Sequence, residues 1–151
     1  MKDERLAVHE AGHALVDYLQ GVDVYHVTIE GGEGYEGRVR SEQPNYTPGM
    51  GYDHEEAKDQ LRTLCAGMEA ERLIFGDGVL DGSDREQVAR LGLSNAPKNK
   101  EGIRDSSIFA EQAREMLEKH RSALEALAQF LLEERRISGS ELGKFLDEQV
   151  D

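Results

Sequence analysis

The residues best suited to chemistry are the run His9-Glu10-Ala11-Gly12-His13. On an α-helix, residues four apart lie one turn up the same face, about 6 Å apart along the axis. Two imidazoles placed this way can share one tetrahedral Zn2+ at ~2.0–2.1 Å each. The glutamate beside the first histidine points to the flank of that face, where it can take a proton from a water activated by the metal. The composition makes a chance His-Glu-x-x-His a matter of about 2%, and the helical context the pattern requires is present. The plainer alternative is a pair of solvated helix histidines. Small residues at Ala11 and Gly12 let a second element approach this helix closely.

A catalytic zinc needs a third protein ligand. Asp17 stands eight residues from His9, roughly 12 Å along the axis, too far to share the ion. Val16 and Leu19 occupy the positions where an extended motif would place glycine and histidine. The third ligand must therefore come from elsewhere in the chain. Glu69 and Glu71 lie on a later helix, and Asp84 lies at the start of another. Asp84 has a short side chain in a first turn, where it could equally serve the helix dipole. Spacing leaves these alternatives open.

The elements that must position these residues follow from hydrophobic periodicity and turn chemistry. Residues 3–20 read as a helix, with Leu6, Ala7, Ala11, Ala14, Leu15, Tyr18 and Leu19 at helical spacing and Gly21 as its stop. Residues 22–30 alternate with Val22, Val24, Val27 and Ile29 and read as a strand. After the turn at Gly31-Gly32-Glu33-Gly34, residues 35–40 return as its partner. Residues 41–52, with Pro44, Pro48, Gly49 and Gly51, read as a loop.

Everything beyond Asp53 reads as helical. Asp53 to Glu56 resembles a capping box for a helix ending before Gly76, and Ser83 to Glu86 resembles a second box for a helix to about Leu91. A polar loop follows over 94–102, then helices near 104–119 and 121–135, then one capped by Ser138 with Glu141. The expected fold is α+β and mostly helical: a His-Glu-x-x-His helix with a small β-sheet, then a helical bundle, as one domain over 1–151. An extended peptide is expected to add to the edge of strand 22–30 or of its partner.

Composition narrows the function classes. The formal charge is −13 and the mean hydropathy −0.64. Such a surface repels phosphate backbones and anionic headgroups, so neither nucleic acid nor membrane is an expected partner. No apolar run reaches the roughly 18 residues of a membrane span, and Met1 to Arg5 leads directly into the first helix without a signal-peptide stretch. One cysteine, Cys65, excludes an intrachain disulfide framework and fits a reducing compartment, so a cytoplasmic location is expected. Cys65 itself reads as a core hydrophobe, His26, His54 and His120 as ordinary surface or half-buried residues, and Tyr35, Tyr46 and Tyr52 as non-catalytic.

Four patches resemble the peptidase part of the FtsH-type zinc metallopeptidases. Leu6 to Val16 is similar to that family's VAYHEAGHALV, Val27-Thr28-Ile29 follows, Ala66 to Gly76 resembles AGRAAEELIFG, and Gly82 to Ala89 resembles GASNDLEQAT. The closing helices, from Ala113 to Leu146, are similar as well. The resemblance implies that His9, His13 and Asp84 hold zinc, that Glu10 is the catalytic base, and that Glu71 supports the site or packs beside it. It also implies a homo-oligomer. The sequence departs from the family at Met68 and Arg72 and between Leu91 and Ile103, and contains no Gly-x-x-x-x-Gly-Lys-Ser/Thr phosphate loop. The expectation is thus a zinc-dependent, ATP-independent endopeptidase, without the AAA+ ATPase, acting on extended or unfolded polypeptide. A non-catalytic zinc-binding interaction module and a regulatory peptidase with a single target are the alternatives.

Overall fold

A computed structural model describes residues 3–32, 36–78, 80, 82–95, 98, 100 and 107–150. The chain runs α1 (Asp3–Leu19), β1 (Val24–Thr28), β2 (Arg38–Ser41), β3 (Tyr46–Thr47), β4 (Gly51–Tyr52), α2 (His54–Phe75), α3 (Gly82–Asn95), α4 (Ser107–Lys119), α5 (Arg121–Glu134), β5 (Arg136–Ser138) and α6 (Gly139–Gln149). The class is α+β with a helical majority, as the sequence predicts.

Helix α1 is buried on every face from Leu6 to Asp17, rather than along one stripe. It packs against α2, α5 and the sheet, so its four polar residues His9, Glu10, His13 and Asp17 are out of water with its apolar ones. Burying that many polar groups costs several kcal/mol unless each is satisfied, so their partners must come from the elements packed around this helix. A side-chain carbon at Gly12 would meet Ala66 O and Ala70 Cβ at 2.6 Å. Glycine therefore lets α2 lie directly on α1.

Helix α2 starts where Asp53 accepts a hydrogen bond from Glu56 N at 3.0 Å. The predicted box is only half present, because the Glu56 carboxylate instead takes Asn45 N at 2.6 Å and Asn45 Nδ2 at 2.9 Å. Gly76, at φ +89°, ends α2 in the left-handed conformation that lets its N–H reach Arg72 O. Ser138 and Glu141 make both bonds of the capping box of α6, each 3.1 Å long. Ser83 lies inside the first turn of α3 rather than ahead of it, and its side chain is outside the described set. Helix α3 runs on to Asn95 in place of the expected loop from 94.

The sheet has the antiparallel order β2-β1-β5, with Val27 opposite Val39 and Ile137. Two readings are corrected here. A third strand, β5, lies within the stretch expected to be all helix, and it makes β1 the centre of the sheet, so β1 offers no free edge. Its signal was small: Ile137 is the single apolar residue of the three, between Arg136 and Ser138. The predicted loop 41–52 contains a two-stranded ribbon, β3 with β4, closed where Met50 N reaches Thr47 O at 2.9 Å around Pro48-Gly49. Pro-Gly at the centre of four residues is a type II turn signature, and Tyr46 stacks edge-on against Tyr52 across it, 5.1 Å between centroids.

The main core joins α1, α2, the inner sheet face and α4 to α6. A second cluster of Ala57, Leu61, Leu64, Leu91 and Phe109 fastens α3 and α4 to α2. Among the described residues no helix is long and apolar enough to cross a membrane.

Candidate metal centre

The two histidines of α1 are held by α2, each through its Nδ1. His13 Nδ1 lies 2.6 Å from Thr63 O. A carbonyl can only accept, so Nδ1 carries a proton and Nε2 is the nitrogen left to face the site. His9 Nδ1 lies 2.7 Å from Glu71 Oε2, and the other oxygen of that carboxylate takes Arg5 NH1 at 3.1 Å. Arg5 also reaches Asp77 Oδ1 at 2.7 Å and lies over the Phe75 ring. A carboxylate or carbonyl behind each imidazole fixes its tautomer and orientation, the usual support for a metal-bound histidine.

Both Nε2 atoms then face one point. They are 3.1 Å apart, and Asp84 Oδ2 lies 3.4 Å from that of His9 and 3.3 Å from that of His13. Four ligands at ~2.0–2.1 Å around a tetrahedral ion stand about 3.3–3.4 Å from one another. The three atoms thus form one face of a tetrahedron of the size zinc requires, and a fourth corner remains for a non-protein ligand. Lone pairs this close repel one another unless a cation lies between them, so the donor set fits the ion. Ligand atoms of His9, Glu10 and His13 also fall within 4.8 Å of one another.

The local field favours positive charge. Burial works against charging His13, yet the Asp84 carboxylate and Glu10 outweigh it and push its pKa up to about 10. Burial would likewise raise Asp84, but His13 and His9 hold it well below the usual carboxylate range.

Of the residues singled out in the sequence, His9, Glu10, His13 and Asp84 come together, from α1 and the first turn of α3. Glu71 stands behind His9 rather than among the converging atoms. Glu69 is engaged by Arg72 at 2.9 Å and by Arg114 at 3.8 Å. Asp17 accepts from Thr63 Oγ1 at 2.7 Å, one step behind His13. His26 is on β1, His54 opens α2 and His120 precedes α5. Tyr46 and Tyr52 belong to the ribbon, and Tyr35 lies outside the described residues.

Four contributors escaped the sequence reading. Thr63 acts through its backbone carbonyl, which no side-chain pattern announces. Arg5 reaches Glu71 across 66 positions of sequence. At Gly67 a side-chain carbon would stand 2.6 Å from both His9 Nε2 and His13 Nε2. That glycine keeps α2 clear of the converging nitrogens. Gly37 lies over the other flank, where a side-chain carbon would meet Glu10 Cγ at 3.0 Å.

No family model matches the sequence. The ATP-dependent zinc metalloprotease FtsH 1 of Symbiobacterium thermophilum is 34% identical over 174 aligned positions, covering 95% of this chain and 29% of that protein. The ATP-dependent zinc metalloprotease FtsH of Thermotoga maritima is 25% identical, covering 99% of this chain and 32% of its own length. Over nearly its whole length the chain is therefore similar, weakly to moderately, to FtsH zinc metalloproteases, and it spans less than a third of either relative.

Proposed function

We propose that this chain is a zinc-dependent endopeptidase that hydrolyses peptide bonds in extended or unfolded polypeptide and needs no ATP for cleavage. The observation that carries the reading is the tetrahedral face formed by His9 Nε2, His13 Nε2 and Asp84 Oδ2, with the buried Glu10 beside it. In this reading those three residues hold zinc and Glu10 is the base. When bound, zinc acidifies a water toward a pKa of ~7 and polarises the scissile carbonyl. Glu10 removes the proton of the attacking water and delivers it to the departing amine nitrogen. Glu71 and the Thr63 carbonyl hold both imidazoles with Nε2 forward throughout.

Substrate is held along β2, the sheet edge beside the site. Gly37, just ahead of β2, lies over Glu10, and at the other end of the strand Ser41 lies beside Asp17. The strand therefore runs beside α1 from the base toward the helix end. Backbone groups on such an edge hold an extended peptide with little demand on its sequence. A purely structural zinc staple makes no use of a buried glutamate at this place.

The test combines metal analysis with digestion of casein, with and without chelator and with and without ATP. Wild type should carry about one zinc per chain and cleave without nucleotide. Asp84→Ala should lose the metal, whereas Glu10→Gln should keep it and lose roughly 10²-fold or more in rate. Full activity in Glu10→Gln, or full zinc in Asp84→Ala, overturns the assignment.

A further inference from the structure

The chain carries a formal charge of −13, yet one face of its sheet is basic. His26 is opposite Arg40, and Thr28 is opposite both Arg38 and Arg136. The four side chains His26, Arg38, Arg40 and Arg136 thus share the outward face, on the side away from Val27, Val39 and Ile137. Besides burial, the charges of Arg136, Arg40 and Arg38 push the His26 pKa down. On α2 Arg62 meets Asp59, and on α4 Arg114 meets Glu118. Among the described residues Arg40 and Arg136 have no ion-pair partner.

The placement of two of these arginines matters for the site. Along β2 and the residue before it the inward positions are Gly37, Val39 and Ser41, which lie over Glu10, the core and Asp17. Arg38 and Arg40 are therefore the outward positions of the strand that borders the site. Among the described residues β2 is paired on one side only, by β1. A peptide added antiparallel on its other side places alternate side chains directly across from these arginines, with Cβ atoms about 4.5–5.5 Å apart. Opposite charges at that range attract and like charges repel. The acidity of the whole molecule acts at longer range and is largely screened beyond ~8 Å at physiological salt.

We propose that the β2 edge selects extended segments with glutamate or aspartate at two positions two residues apart, paired across from Arg38 and Arg40. The proposal rests on the peptidase reading for the position of the peptide, and it reverses the preference for cationic partners that the net charge alone would suggest.

The experiment measures binding, not cleavage, so that it stands apart from the test of activity. Zinc-loaded Glu10→Gln protein is titrated against fluorescent ten-residue peptides carrying glutamate, glutamine or lysine at every second position, read by anisotropy. The alternating design covers every register. Two cross-strand ion pairs should make the glutamate peptide about tenfold tighter than the glutamine one, with lysine weakest. Arg40→Glu, with Arg38 unchanged, should erase the glutamate advantage and bring the glutamate and lysine peptides level, Arg40→Gln should keep about half of the advantage, and Arg136→Glu, on the far strand, should change the affinities by less than about threefold. Circular dichroism verifies that each variant is folded. Equal affinities, no binding of any peptide, or a glutamate preference that survives Arg40→Glu overturns the proposal. So does an Arg40-dependent affinity for a single-stranded oligonucleotide above that for the glutamate peptide, which would assign the face to nucleic acid.

Discussion

Gly67 is the residue at which the site tolerates no side chain. A methyl there would sit 2.6 Å from both Nε2 atoms, and α2 cannot retreat because Ala66 and Ala70 are packed on Gly12. Gly67→Ala should fold, since alanine suits a helix better than glycine, but bind zinc at least about tenfold more weakly. Zinc titration against a competing chelator, beside circular dichroism, checks this; unchanged affinity would show that the contact relaxes. Asp17 gives a pH prediction. Burial raises its pKa to about 6, against hydrogen bonds from Thr63 and Ser41 and the charge of His13, while Asp59 adds to the rise. A carboxyl raised in the folded state contributes stability that is full below its unfolded value near 3.8 and is lost as pH rises through about 6. The loss is about 3 kcal/mol at 1.36 kcal/mol per pKa unit. Asp17→Asn does not titrate, so its stability relative to wild type should improve by roughly that amount between pH 4 and 7.5. Urea unfolding of the metal-free proteins at both pH values measures it, and a difference independent of pH would refute the assignment.

At the scale of elements, legibility tracked how local each signal is. Helices α1, α2 and α6 declare themselves through periodicity and through caps at Asp53, Gly76 and Ser138, all within a few residues. The His-Glu-x-x-His pair is readable for the same reason, being one turn of one helix. Asp84 was not selectable by spacing, because its approach to the histidines depends on Val88 and Leu91 packing α3 onto other elements. Strand β5 was missed because three residues with one apolar side chain make no period. Its place depends on Ile137 entering the core opposite Val27, and on the turn at Arg135, a non-glycine residue at φ +68° whose side chain reaches Asp3. Ile137 is fully buried among the largest core side chains, so Ile137→Ala should cost about 2–5 kcal/mol. A lower urea midpoint with an unchanged slope verifies it; a cost under 1 kcal/mol would mean that β5 is held by its backbone bonds alone.

For the molecule as a whole, the proposed centre would act as a fastening between α1 and α3. The 174 aligned positions of one relative exceed this chain's 151 residues, so that relative has residues with no counterpart here. Within the shared part, α1 is enclosed by α2, α5 and the sheet, whereas among the described side chains of α3 it is Val88 and Leu91 that pack into the cores. In the proposed centre, zinc joins Asp84 in the first turn of α3 to His9 and His13 on α1. Binding then stabilises the folded chain by about 2.7 kcal/mol at a hundredfold excess over Kd, and the fastening is concentrated in α3. Removing the ion should therefore loosen this helix before the rest. A proton on His13 replaces the cation only in part, because one positive charge stands where two stood. Hydrogen–deuterium exchange with and without chelator should show faster uptake across 82–95 when the metal is absent, with 121–134 in α5 unchanged. In Asp84→Ala the chelator should make no difference, since the link to α3 is already cut. Uniform loosening of all helices on chelation, or protection of α3 that ignores zinc, would mean that Asp84 does not tie α3 to the metal.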